Sequence, residues 1–139
     1  MKKHVAYAVW NGSIKEGNGT LTTNSKVLDK QQYSFKSRFE NGTGTNPDEL
    51  LAASHAGCFA MALSLILGQS GFTPDSLDVK AEVTMDPEKL ELTGSHLTLQ
   101  AKIPNIDQAK FLECANAAKA NCPISKALKF NISLDASLV

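Results

Sequence analysis

Apolar residues alternate with polar ones through Val5, Tyr7 and Val9 until Asn11 and Gly12 break the pattern, which predicts a strand ending in a turn. Gly17 and Gly19 bracket a second turn. Residues 19–24 and 32–39 read as two more short strands, the second with Tyr33, Phe35 and Ser37 on one face. The pattern then changes: residues 50–67 hold almost only apolar and small side chains, with no charge and no polar stripe, which predicts a buried helix. Beyond Pro74 the alternation returns in Leu77, Val79, Ala81, Val83 and Met85. It resumes after Asp86 and Pro87 in Leu97, Leu99, Ala101 and Ile103, predicting an antiparallel pair with one buried face. A second helix is expected from Asp107 to about Ala120 and a short third one from Pro123. A last strand follows through Phe130, Ile132 and Leu134. The order βββαββααβ implies one α+β domain over residues 1–139, in which antiparallel sheet covers a long buried helix.

The apolar helix carries the strongest local signals. Asn46 is a good N-cap, Pro47 suits the first helical position, and Glu49 three residues after the cap is expected to reach back to it. Gly68, Gly71 and Pro74 supply the stop. Ala52, Ala53, Ser54, Ala56, Gly57 and Ala60 let another backbone approach closely, so a second helix or a partner chain is expected to cross here. The helix is too rich in Ala, Ser and Gly to read as a membrane span. Cys58 lies in the middle of this small-residue zone, where a cysteine is either a small core hydrophobe or a reactive thiol.

Composition narrows the classes. A chain of 139 residues with 42% hydrophobic content supports a real core, and 14 basic residues balance 14 acidic ones. That balance leaves no basic footprint for nucleic acid or for an anionic membrane. The segment MKKHVAYAVWNGS has too short an apolar run for a signal peptide, which favours the cytoplasm. Three cysteines are no disulfide scaffold at this size, and in a reducing compartment they point to redox, nucleophilic or metal chemistry.

Two of them stand in chemically distinct places. Cys122 precedes Pro123 and is expected to cap the short third helix, a setting in which free N–H groups and the helix dipole favour a thiolate. The plainer alternative is a cysteine that merely caps a turn. Cys114 falls on the face of the second helix that Phe111 and the alanines bury, and reads as core. At the start of that helix Asp107 is the expected N-cap, with Ile106 stapled to Phe111.

The stretch RFENGTGTNPDELLAASHAGCFAMALSLILGQSGFTP, with the later NCPISKAL, resembles the osmotically inducible protein C family of thiol peroxidases. It is more similar to that family than to the sister group of organic hydroperoxide resistance proteins, and the match runs from Trp10 to the C-terminus. The resemblance implies an intertwined α+β homodimer with two interfacial active sites. Each would reduce organic hydroperoxides, and hydrogen peroxide more weakly, in a stress-defence role, with an external thiol as reductant and no cofactor. It makes Cys58 the reactive and Cys122 the resolving cysteine, and it puts the active-site arginine at Arg38. The family's acidic partner directly follows the helix-opening proline. Here that residue is Asp48, with Glu49 beside it, so either carboxylate is a candidate.

The residue types fit that chemistry. A buried thiol needs a nearby cation to become the thiolate that attacks a peroxide oxygen, and Arg38 supplies one with several donors for the leaving oxygen. A carboxylate can hold the guanidinium in a bidentate pair. Asp48 and Cys58 are ten residues apart on one helix, about 15 Å along its axis. The acid and arginine that serve Cys58 are therefore expected from a partner subunit in an obligate dimer. Two rival readings remain. His55, one turn before Cys58, suggests a zinc site with Cys122 and one further ligand, against a packed core histidine; His4 and His96 read as strand-surface residues. The other rival is a non-catalytic dimeric binder whose apolar groove, lined by Phe39, Phe59, Met61 and Ile124, holds a small hydrophobic ligand.

Overall fold

The computed structural model describes residues 1–139, which form two compact units, Met1–Leu50 and Leu51–Val139. The first unit holds a three-stranded antiparallel sheet in the order β1 (Ala6–Asn11), β2 (Asn18–Thr23), β3 (Gln31–Tyr33). Gly19 faces Trp10 on one side and Tyr33 on the other, leaving room for the two rings to meet edge to face at 5.4 Å. The expected strand over 32–39 ends at Tyr33. Ser34 instead caps a short helix, α1 (Phe35–Phe39), so the element order gains a helix that the alternation of Tyr33, Phe35 and Ser37 did not reveal. The Ser34 hydroxyl accepts from the Ser37 N–H at 3.2 Å and the Ser37 hydroxyl accepts from the Ser34 N–H at 2.8 Å, a reciprocal capping box.

Helix α2 (Pro47–Gln69) begins in the first unit and continues through the second. Its start follows expectation in part: the Asn46 side chain accepts from the Glu49 N–H at 2.8 Å. The Glu49 carboxylate does not return to the cap, because the Thr45 hydroxyl donates to it at 2.6 Å. At the other end Phe72 N–H bonds to Leu67 O and Gly71 N–H to Gly68 O, with Gly71 at φ 86°, which makes a Schellman stop.

The second unit packs α2 on one face of a sheet ordered β4 (Ser76–Asp86), β5 (Glu91–Lys102), β6 (Asn131–Leu138). β4 and β5 are antiparallel as expected, but β6 runs parallel to β5. The crossover between those strands is made by α3 (Gln108–Asn121) and α4 (Pro123–Ala127). Asp107 caps α3, its carboxylate accepting from the Lys110 N–H at 2.7 Å. Phe59, Leu63 and Leu67 of α2, Leu97 and Leu99 of β5, and Phe111 of α3 are fully buried at the centre of the core. Cys114 is buried with them.

The all-round apolar helix is not all-round buried. Only the stripe His55, Phe59, Leu63 and Leu67, at four-residue spacing, is sealed. Met61 and Leu65 stand 77% and 63% exposed on the opposite side.

Candidate active site

In the first unit, α1 is tied to the start of α2 by side chains on either side of the connecting loop. The Ser37 hydroxyl reaches the Thr45 carbonyl at 2.7 Å, and the Asn46 amide donates to the Ser37 carbonyl at 2.8 Å. This clamp sets Arg38 against the second residue of α2. Arg38 Nε donates to Asp48 Oδ2 at 3.2 Å and Nη2 to Oδ1 at 3.0 Å, a bidentate pair that fixes the guanidinium plane. Of the two candidate carboxylates, then, Asp48 holds Arg38 within the chain, and Glu49 is occupied by Thr45. Phe39, one of the residues expected to line an apolar groove, borders a hollow of about 240 Å³ in this unit, together with Trp10, Tyr33 and Arg38.

In the second unit, Cys58 and Cys122 meet at the N-terminus of α4. Cys122 caps that helix, with Pro123 at its first position, as the sequence suggests. Its sulfur accepts from the Ser125 N–H at 3.3 Å, while the Ile124 N–H points at the Cys58 sulfur at 3.5 Å. The two thiols are unpaired neighbours: Cys58 is half-buried and Cys122 wholly buried. Burial pushes the Cys58 thiol above its ordinary range, and the adjacent Cys122 pushes the same way. The Ile124 N–H opposes both.

Cys58 opens into an apolar groove of about 790 Å³, whose walls include Met61, Leu65, Ile66 and Ile124. Of the groove residues expected from sequence, Met61 and Ile124 are there, whereas Phe59 is sealed in the core.

His55 is buried one turn before Cys58, as a packed residue bonded at both ring nitrogens. Nδ1 meets Ser95 Oγ at 2.7 Å and Nε2 meets Ser125 Oγ at 2.8 Å, and burial holds its pKa below the usual imidazole range. With both nitrogens engaged, and no three His, Cys, Asp or Glu side chains converging anywhere, the zinc reading finds no ligand set. Ser95 and Ser125 were not singled out from the sequence. Ser125 had a local signal, as the third residue after a capping cysteine; Ser95 had none. His96 sits on the sheet surface, as read, between Ser133 and Asp135.

A family model described as OsmC-like protein matches residues 40–137. The chain is 47% identical over 133 residues to the peroxiredoxin OsmC of Escherichia coli (strain K12), covering 94% of this chain and 93% of that protein. It is 32% identical over 123 residues to the organic hydroperoxide resistance protein OhrB of Bacillus subtilis (strain 168), covering 86% and 88%. The crystal structure of an OsmC-like protein from Mycoplasma pneumoniae superposes with a TM-score of 0.77 at 18% identity, over 99% of this chain and 98% of that one, a likeness of fold.

Proposed function

The chain belongs to the OsmC-like protein family, and from that premise we propose that it is a cysteine-dependent peroxidase that reduces organic hydroperoxides to alcohols. The observation that carries the reading is the half-buried Cys58 at the wall of an apolar groove, with a second free thiol beside it on the α4 N-terminus. The groove takes the organic part of the substrate. The Cys58 thiolate attacks the terminal peroxide oxygen, the O–O bond breaks, and the alkoxide leaves and is protonated, so the thiol becomes a sulfenic acid and ROOH becomes ROH. Cys122 then attacks the sulfenic sulfur, giving a Cys58–Cys122 disulfide and water before further oxidation of Cys58 occurs. An external thiol restores the pair.

Burial works against a Cys58 thiolate, so the mechanism needs a cation near the sulfur. Arg38 is that cation, oriented by its bidentate pair with Asp48 and brought to Cys58 by a second copy of the chain. Asp48 and Cys58 are separated by about 15 Å of helix rise, too far for the Asp48–Arg38 pair of the same chain to serve this sulfur. The exposed apolar side of α2, with Met61 and Leu65, supports the same homodimer, because a surface of that kind is stable in water when covered. The reactive cysteines suit a reducing, cytoplasmic setting and a role in peroxide defence. A passive binder of hydrophobic ligands would use the groove but has no need of two adjacent thiols.

The test is a thiol titration. Each chain carries three cysteines, and one equivalent of tert-butyl hydroperoxide should remove two of the three titratable thiols. Retention of all three overturns the reading in favour of a binder.

A further inference from the structure

Cys122 is fully buried, so its thiol has no direct contact with bulk water to take its proton when it attacks the Cys58 sulfenic acid. Yet a thiolate is the form that attacks. The structure offers another route. Cys122 Sγ lies 3.1 Å from Ser125 Oγ, Ser125 Oγ lies 2.8 Å from His55 Nε2, and His55 Nδ1 lies 2.7 Å from Ser95 Oγ. All four side chains are buried, and one hydrogen arrangement satisfies every link: the thiol donates to Ser125, Ser125 to Nε2, and Nδ1–H to Ser95.

We propose that this chain is a proton relay for the disulfide step, in which His55, acting through the Ser125 hydroxyl, accepts the proton that Cys122 gives up. The proposal rests on the peroxidase reading above and assigns work to residues that reading leaves unused. Cys122 passes its proton to Ser125 Oγ while the Ser125 proton moves to Nε2. The Cys122 sulfur gives its electron pair to the Cys58 sulfur, and the S–O bond breaks. The departing hydroxide takes a proton on the open, groove side of Cys58, and His55 later releases the one it received, so the sum is one disulfide and one water. Burial favours the neutral form of the His55 ring. In the tautomer the relay uses, Ser95 Oγ accepts from Nδ1–H at 2.7 Å and holds the ring, which leaves Nε2 as the accepting nitrogen.

The test separates the two chemical steps. The protein is mixed with one equivalent of tert-butyl hydroperoxide, quenched at intervals, and analysed by mass spectrometry for Cys58 sulfenic acid and for disulfide. Ser125→Ala removes the hydroxyl but keeps the backbone N–H that orients the Cys122 sulfur. His55→Gln keeps a donor and an acceptor but is not a base. Both should slow the disulfide step by about 100-fold, the scale of a lost general base, with sulfenic acid building up and the solvent isotope effect on that step lost. Ser125→Thr, which keeps a hydroxyl, should restore most of the rate. If the disulfide forms at the wild-type rate in Ser125→Ala, or in His55→Gln with a native circular dichroism spectrum, the relay is wrong. If wild type forms no disulfide at all, it is the parent reading that fails. Should His55→Gln not fold, the Ser125→Ala and Ser125→Thr pair decides alone.

Discussion

A neutral imidazole sealed from water makes the fold acid-sensitive. The folded pKa of His55 lies below the 6.5 of an ordinary histidine because burial penalises the charged ring. Below about pH 6.5 the unfolded chain therefore binds a proton that the folded one refuses, and stability falls as pH drops toward the folded value, by up to about 1.4 kcal/mol per pH unit. Above that window the effect is absent. Urea unfolding from pH 7 to pH 5 should show this slope, and His55→Gln should lose that part of it while the contributions of the other titrating groups remain. The residue itself was legible as a packed, bonded histidine, since a lone imidazole in an uncharged helix has to be satisfied. Its partners were not, because Ser95 and Ser125 lie 40 and 70 positions away and only the fold brings them in. Cys122 was readable as a cap because proline at the next position is a local signal. For Asp48 against Glu49, sequence offered two neighbours and no means of choosing. The choice came from the α1 clamp, which aims Arg38 at the second residue of α2.

Among the elements, those with strong local punctuation were legible. α2 starts at Asn46–Pro47 and stops in the Schellman turn at Gly71; α3 starts at Asp107. α1 escaped because a helix of five residues is too short to show a 3.6 period, and alternating Tyr33, Phe35 and Ser37 imitates a strand. The direction of β6 escaped for a different reason: alternation reports which face is buried, not which way the strand runs. The stability of the second unit should rest on the buried stripe of α2. Phe59→Ala removes a fully buried ring and should cost about 3–5 kcal/mol. Gly71→Ala places a Cβ at φ 86°, where the surroundings are open, so the loss should be only the backbone strain of roughly 1–2 kcal/mol. Urea midpoints with unchanged slopes check both. A larger cost for Gly71→Ala than for Phe59→Ala would mean that the helix stop, and not its core face, dominates.

For the molecule as a whole, the sequence pattern overstated burial, because hydrophobicity says that a surface is covered without saying by which chain. Met61 and Leu65 are the visible difference, and the second copy proposed above would cover them. The proposed shared-site dimer makes a specific prediction. Arg38→Ala and Cys58→Ser homodimers should each be inactive, yet an equimolar mixture refolded together should regain about a quarter of the wild-type number of sites, because about half the dimers are then mixed and each of these has one intact Cys58 facing an intact Arg38 from the partner. No recovery would place arginine and cysteine in one chain. The central claim, that Cys58 is the attacking thiol and Cys122 its disulfide partner, is tested most directly by single-turnover peroxide loss with peptide mass analysis of the cysteine variants. Wild type and Cys114→Ser should each consume one equivalent and end with Cys58 joined to Cys122. Cys122→Ser should consume one equivalent and stop at oxidised Cys58, and Cys58→Ser should consume none. An equivalent consumed by Cys58→Ser, or a disulfide containing Cys114, would contradict the account.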